Sequence, residues 1–151
     1  MMGFFRKDDV DKMARRGDLR GLLKALRGRD PVVQAQASLL LGSIGRPAVP
    51  VLIEALKDGD RDVRTAAAAA LISIGPEARF AVGTLVRALR DEDYFVRWNS
   101  VVALGEIGDK EAVPALMETL TDGNIDVRKA AAEALEKIEW EKWYPGTEKV
   151  V

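Results

Sequence analysis

Apolar and small residues recur along this chain at the spacing of an α-helix. In one representative segment, such residues occupy a single face of a helix with 3.6 residues per turn: Val63, Ala67, Ala70, Leu71 and Ile74. No segment alternates between apolar and polar residues with a period of two over a useful length. The pattern therefore predicts an all-α protein without strands.

The helical pattern is repeated along the chain. One block occurs four times, with its copies starting at Val33, Val63, Val96 and Val127. Successive copies are 30, 33 and 31 residues apart. A second block repeats at the same offsets, starting at Leu22, Leu52, Leu85 and Leu116. One helix pair cannot bury its apolar face alone, so successive pairs must stack. We expect a single domain over residues 1–151, an α-α superhelix of four to five helix pairs of about 31 residues, with repeats at about 9–28, 30–59, 60–91, 93–122 and 124–144.

Polar residues mark the helix ends. The first block is preceded by residues that cap helix N-termini well, namely Asp30, Asp60, Asp93 and Asn124. Glycines that suit a left-handed C-terminal residue follow it, at Gly45, Gly75 and Gly108. Short side chains fill matching columns within the block, which lets neighbouring helices approach closely. These signals predict a long first helix in each of these repeats.

Three motifs stand out in the repeats: the Asp-x-Asp-Val-Arg run at 60–64, the Ala-Leu-x-x-Ile-Gly run at 70–75, and the Ala-Val-Pro-x-Leu run that starts at Ala112. Together they resemble HEAT-like repeats of the bilin-lyase type. The resemblance covers about residues 9 to 138 and implies a right-handed solenoid of the HEAT or armadillo type. Members of this family include phycobilin lyase subunits, deoxyhypusine hydroxylase, and adaptor and regulatory proteins, so fold alone does not decide activity. The hydroxylase holds two irons with His-Glu pairs, and this chain has no histidine, which excludes that chemistry.

Composition limits the remaining chemistry. The chain has no cysteine and no histidine, so thiolate metal sites and the commonest general base are missing. We expect no catalytic residue, no metal and no cofactor. Its 23 basic and 24 acidic residues nearly cancel, which gives no overall attraction to nucleic acid or to an anionic membrane. The residues from Met1 to Lys7 are too short for the apolar core of a signal peptide, and we see no membrane span, so the expected location is the cytoplasm. The two Asn and two Gln fit a thermophile.

The sharpest departure from the repeat is aromatic. Phe95 stands where other repeats have Asp62 and Asp126, and Trp98 lies in a column that faces solvent elsewhere. Together with Tyr94 they form a candidate partner-docking patch, because tyrosine and tryptophan dominate interface hot spots. The alternative is that the insertion from Glu77 to Phe80 folds over them.

Charged columns offer further candidates. On the second helices, which we expect on the concave side, an outward column alternates in sign: Lys24, Glu54, Arg87 and Glu118. It favours either a protein partner of mixed charge or pairing between neighbouring repeats. A basic row in the turns between helices could bind an acidic protein or RNA, or could simply be solvated: Arg16, Arg46, Arg79 and Lys110.

Two further predictions concern structure. We expect the arginine column of Arg64, Arg97 and Arg128 to bridge successive repeats, paired with Asp62 and Asp126. Aromatic residues at the chain ends are expected to cover the open first and last layers: Phe4, Phe5, Trp140, Trp143 and Tyr144. Alternatively, the aromatic residues at the C-terminal end form a homodimer contact. The chain is therefore expected to be a monomer or a dimer formed through that end.

These features favour a non-catalytic scaffold or regulatory adaptor that binds a protein partner of unknown identity. Nucleic-acid or ribonucleoprotein binding through the basic row is the first alternative. An accessory or lyase-like enzyme subunit is the second.

Overall fold

The computed structural model describes residues 4–142 and 145–146, and within them the chain is all helical, as predicted. The α-helices in this part of the chain are α1 (Lys7–Arg15), α2 (Leu19–Leu26), α3 (Pro31–Ile44), α4 (Val49–Ala55), α5 (Arg61–Ile74), α6 (Val82–Ala88), α7 (Tyr94–Ile107), α8 (Val113–Thr119) and α9 (Ile125–Ile138). Short 3₁₀ segments accompany them at Arg46–Ala48, Gly75–Ala81, Lys110–Ala112 and Trp140–Lys142. The helices α3, α5, α7 and α9 are called the long helices below, and α2, α4, α6 and α8 the short helices.

Each long helix begins at the predicted capping residue. A side-chain oxygen of Asp30 accepts a hydrogen bond from the Val32 amide at 2.9 Å, and Asp60, Asp93 and Asn124 act in the same way. Gly45, Gly75 and Gly108 end the helices with positive φ angles of 81°, 66° and 73°. Local sequence therefore sets the bounds of the long helices.

The connection between α5 and α6 explains the longest repeat offset. The corresponding connections before α4 and α8 are three-residue 3₁₀ turns, whereas Gly75–Ala81 spans seven residues. The insertion is thus absorbed in the turn, and the helices on either side keep their lengths of 14 and 7 residues.

Successive repeats are held together mainly through the long helices. α3 packs on α5, α5 on α7 and α7 on α9, and each short helix packs on the long helix that follows it. One leucine from each long helix fills the layer between the two rows and is fully or almost fully buried: Leu41, Leu71, Leu104 and Leu135. Small residues allow the close approach, since a β-carbon built on Gly105 would lie 3.0 Å from both Cα and Cβ of Ala134.

Contacts between long helices of neighbouring repeats are more extensive than those between short helices. Length contributes to this difference, since each long helix has 14 residues whereas α4, α6 and α8 have seven. The solvent-facing side of the long helices is called the long-helix face below. That the short helices line the concave side stays a prediction.

The arginine column does bridge the repeats, but through other carboxylates than predicted. Nε and Nη2 of Arg64 donate to the two carboxylate oxygens of Asp91 at 2.8 and 3.1 Å, and Nη1 donates to the Asp58 and Gly59 carbonyls at 2.9 and 3.0 Å. Arg97 repeats this arrangement with Asp122. Each arginine thus ties together the turns before and after its own repeat. We call this the Arg–Asp ladder.

The ladder is largely withdrawn from solvent. The side chains of Arg64 and Asp91 are only 11% and 12% exposed. Hydrogen bonds to Asp91 raise the pKa of the Arg64 guanidinium, against the opposing effect of desolvation. Asp62, the predicted partner, instead lies at the exposed surface, 3.8 Å from Arg61. The prediction of pairing with Asp62 was therefore wrong.

The chain ends agree only in part with the predicted caps. Trp140 is buried and packs against the core, and Phe5 is partly buried against the first repeat. Phe4 is 96% exposed, so it covers nothing and that prediction was wrong. Trp143 and Tyr144 lie outside the described residues.

One stretch, Arg61–Ala88, is long and apolar enough by composition to cross a membrane, with a mean hydropathy of 1.3 in its best window. In the structure it forms the separate helices α5 and α6, with Gly75 at a φ of 66° between them. It belongs to the packed interior of the solenoid, where the residues on its inward faces are buried.

Substituting Gly105 by alanine should destabilise the protein, although alanine is the better helix former. The added β-carbon meets the backbone of α9 at 3.0 Å, and such overpacking costs about 1–3 kcal/mol. The matched control is Gly83→Ala in α6, where no atom lies within 4 Å of the new β-carbon. That variant should be at least as stable as the wild type. Urea unfolding followed by circular dichroism compares the two, and equal stabilities would contradict the close packing of α7 on α9.

Removing one rung of the Arg–Asp ladder should be costly. Arg64→Leu leaves Asp91 poorly solvated and without its bidentate partner, a loss of about 3 kcal/mol in the free energy of unfolding. Arg61→Leu, one turn earlier on the same helix, removes an arginine that is 68% exposed. Its partner Asp93 keeps the hydrogen bonds from the Phe95 and Val96 amides, so the loss should be less than about 1 kcal/mol. Chemical denaturation of both variants tests the difference; similar small losses would mean that the ladder does not hold the repeats together.

Candidate functional site

The predicted aromatic patch is exposed at the N-terminal end of α7. Tyr94, Phe95 and Trp98 are 39%, 52% and 38% exposed. The rings of Tyr94 and Phe95 lie with their centroids 4.2 Å apart and their planes tilted by 30°. The Asp93 carboxylate accepts from the Phe95 and Val96 amides and so fixes the first turn that carries these rings. Large apolar side chains are thus held at the surface on a rigid element.

The insertion does not cover this patch. It lies at the other end of the long helices, where a β-carbon on Gly75 would be 3.9 Å from the Glu106 carbonyl, near the C-terminus of α7. Phe80 at its tip is itself exposed, with the Arg46 guanidinium 5.9 Å from its ring centroid. The alternative in which the turn folds over the aromatic residues does not hold for the described structure.

The aromatic residues line a groove between α7 and α9. It has a volume of about 460 Å³ and also includes Val102, Asp126, Lys129 and Glu133. Its floor is apolar and its far wall is charged. Because α7 and α9 are long helices, the groove opens on the long-helix face.

An equivalent groove lies two repeats earlier, between α3 and α5, and has a volume of about 790 Å³. Leu39 on its wall is 72% exposed, at the position that Val102 occupies in the α7–α9 groove. The sequence analysis did not identify this groove. The available signal was the column of Leu39, Ala69, Val102 and Glu133, whose final glutamate marks it as facing outward.

The alternating column on the short helices is engaged within the protein. Glu54 accepts from Nη1 of Arg20 at 2.7 Å and from Nη2 of Arg27 at 3.3 Å, both in the preceding repeat. Hydrogen bonding to Arg20 lowers the pKa of Glu54. Glu118 lies 3.6 Å from Arg90. Both glutamates therefore pair with arginines of the preceding repeat.

Within the rest of that column, Arg87 donates to the Thr84 hydroxyl at 3.1 Å. Lys24 is exposed on α2. The column is therefore spread along the short helices, and the structure does not bring its members together into one site.

The basic row is partly neutralised. Nε of Arg79 donates to Asp109 at 2.8 Å, and Arg46 sits over the Phe80 ring. Lys110 also interacts with another group of the protein. Arg16 and Phe5 line a small depression near α1. The four residues follow the turns of successive repeats and do not converge on one point.

Within residues 4–142 and 145–146, no group of three or more acidic, cysteine or histidine side chains is placed to hold a metal ion. The buried hydroxyls of Ser100 and Thr119 donate to backbone carbonyls of their own helices, at 2.7 Å in each case. These hydroxyls serve helix structure.

Solved structures of several solenoid proteins resemble this one. The complex of CpcE and CpcF of phycocyanin lyase from Nostoc sp. PCC7120 matches with a TM-score of 0.72 and 23% identity, over 82% of this chain and 79% of that one. A designed armadillo repeat protein in complex with the peptide (KR)4 matches with a TM-score of 0.65 and 23% identity, over 87% and 68% of the two chains. Human deoxyhypusine hydroxylase matches with a TM-score of 0.68 and 25% identity, over 93% of this chain but only 50% of the enzyme. A comparison with curated protein sequences finds no match.

The family model for HEAT repeats matches residues 19–82 and 79–136, which together span most of the chain. This agrees with the stacked helix pairs, the capped long helices and the resemblance noted in the sequence. The chain belongs to the HEAT repeat family.

Proposed function

We propose that this protein is a non-catalytic scaffold or adaptor that docks a partner protein on the long-helix face. The observation that carries the proposal is the exposed cluster of Tyr94, Phe95 and Trp98 beside the α7–α9 groove. These three large aromatic side chains lie outside the hydrophobic core, and between 38% and 52% of each remains exposed. Buried in an interface, each would remove a large apolar area from water.

The comparisons support binding as the general role. HEAT and armadillo solenoids commonly serve as protein-interaction scaffolds, and the similar structures include a lyase subunit complex and a peptide-bound designed protein. A stack of repeats also offers an extended surface that needs no rearrangement to receive a partner. We infer that the long-helix face of this chain is used in that way.

Two alternatives have less support. Nucleic-acid binding through the row of Arg16, Arg46, Arg79 and Lys110 would need several cations free to meet phosphates, and Arg79 is already paired with Asp109. An enzyme-subunit role is represented by the lyase and hydroxylase among the similar structures. The absence of histidine from the sequence counts against the hydroxylase reaction.

Site-specific photo-crosslinking in the source cells should place a partner on the aromatic patch. A benzoylphenylalanine at position 98 is expected to give a discrete covalent adduct with one protein, identified by mass spectrometry. The same residue at position 80 is the control, because Phe80 is more exposed than Trp98 (76% against 38%) but lies at the opposite end of the long helices. Adding Phe95→Asp to the position-98 protein should abolish the adduct while leaving the circular dichroism spectrum unchanged.

Adducts of the same protein from both positions, or persistence of the adduct with Phe95→Asp, would contradict docking at this patch. An adduct formed only from a probe at Lys24, on α2, would move the docking site to the short helices. Lack of any protein adduct, together with pigment or another small molecule bound to the purified protein, would favour the enzyme-subunit alternative.

Binding to RNA should be weak and should not depend on the basic row. In fluorescence anisotropy with single-stranded RNA, wild type and Arg79→Glu are expected to behave alike, because the Arg79 charge is compensated by Asp109. Tight binding that falls steeply with salt and is lost in Arg79→Glu would instead establish the nucleic-acid alternative.

A further inference from the structure

We infer that the docking face takes an extended protein segment containing lysine or arginine, laid across the long helices so that it reaches both the α7–α9 and the α3–α5 grooves. This inference rests on the proposed function and specifies the chemistry and the length of the segment that binds.

The first step concerns carboxylates that the fold does not use. Asp91 and Asp122 are committed to the Arg–Asp ladder. Among the described residues, in contrast, no cation lies within 4 Å of the carboxylate of Asp126 or Glu133, both on the wall of the α7–α9 groove. Asp62, on the wall of the α3–α5 groove, has only the exposed contact of 3.8 Å with Arg61. These three carboxylates can receive a cation from outside.

The cations of the grooves do not cancel this charge. In the α7–α9 groove, Asp126 and Glu133 face the single cation Lys129, two negative charges against one positive. In the α3–α5 groove, the lining residues include Asp60, Asp62 and one cation, Arg29. Arg61 also lies 3.8 Å from Asp62, but its Nη1 donates to Asp93 at 3.2 Å, so the charge of Arg61 is compensated by Asp93. The lining residues of each groove therefore carry a net charge of −1. A basic segment is the complementary partner for both.

The aromatic residues strengthen the choice of a cation. An ammonium or guanidinium group over the face of tryptophan or tyrosine is attracted by the ring quadrupole, and the attraction increases when the group is desolvated. In the α7–α9 groove the exposed Trp98 and Tyr94 stand opposite the carboxylates of Asp126 and Glu133. A lysine or arginine side chain entering there meets an aromatic wall on one side and acidic groups on the other. Its aliphatic stem lies on the apolar floor near Val102.

The spacing of the grooves sets the length of the segment. The equivalent residues of the two grooves are two repeats apart, and packed helices are separated by about 8–10 Å, so the grooves are about 16–20 Å apart. An extended chain advances about 3.3 Å per residue and covers this distance with five or six residues. An octapeptide, at about 26 Å, reaches both grooves, whereas a tetrapeptide, at about 13 Å, reaches only one.

Fluorescence anisotropy with synthetic peptides tests this inference directly. The probe is a fluorescein-labelled (Lys-Arg)4 octapeptide, compared with labelled (Glu-Asp)4 and with the tetrapeptide (Lys-Arg)2. We expect (Lys-Arg)4 to bind, (Glu-Asp)4 not to bind, and (Lys-Arg)2 to bind at least about tenfold more weakly than the octapeptide, because it loses one groove.

Variants locate the site of binding. Glu133→Lys and Asp62→Lys, one in each groove, should each weaken the octapeptide about tenfold or more, and Trp98→Ala about threefold to thirtyfold. The matched control is Glu118→Lys on the short helix α8, away from both grooves. It makes the same charge change and should leave the affinity within about twofold. Circular dichroism and thermal unfolding confirm that each variant is folded; Glu133 and Asp62 are exposed, so their replacement should not disturb packing.

Equal weakening by Glu118→Lys would show attraction to overall charge and would overturn the inference. So would equal affinities for the octapeptide and the tetrapeptide, or tighter binding of (Glu-Asp)4. If no basic peptide binds while the crosslink from position 98 still forms, the scaffold role stands and the basic, extended character of the partner is refuted. If the crosslink is missing as well, both proposals fall.

Discussion

Close packing between successive long helices is the contact on which the other features of this protein depend. A single helix pair leaves an apolar face open, and that face is covered only by the next pair. Gly105 against Ala134 shows how little room separates the backbones, since even one added methyl group would meet the neighbouring helix. The short helices have no comparable contact along their row. The solvent-facing residues of the long helices therefore form one surface that runs along the stack.

Aspartate has three distinct roles along this surface, and position within the repeat decides which. At the residue before a long helix, as in Asp60, the carboxylate caps backbone amides. At the end of a short helix, as in Asp91, it binds the arginine of the same repeat and orders the following turn. At the second position of a long helix, as in Asp126, its side chain lines the groove. Because the first two roles use the carboxylate oxygens within the fold, a carboxylate in the third role is the one most open to a partner.

The sequence was sufficient for features determined within one repeat. Caps such as Asp93 and terminators such as Gly108 act on their own helix, so their residue types predict them directly. Pairing between side chains of different elements depends on which turns the folded chain brings together, and no single repeat encodes this. The partner of Arg64 was missed for this reason. Asp62 is close in sequence but sits at the exposed helix start, whereas Asp91 reaches Arg64 only because the intervening helix α6 brings the chain back.

The departures from the repeat separate into those absorbed by structure and those left at the surface. The extra residues at 76–78 are accommodated in one 3₁₀ turn, and Trp140 closes the last layer in place of a full short helix. Phe95 and Trp98 have no such structural use: Asp62 and Thr65 hold the same positions in the preceding repeat, which packs equally well. Phe95 and Trp98 are 52% and 38% exposed, so a large part of each ring stays in contact with water, which lowers the solubility of the chain. We infer that their benefit comes from a state in which the exposed part of each ring is covered, and both rings line the groove between α7 and α9.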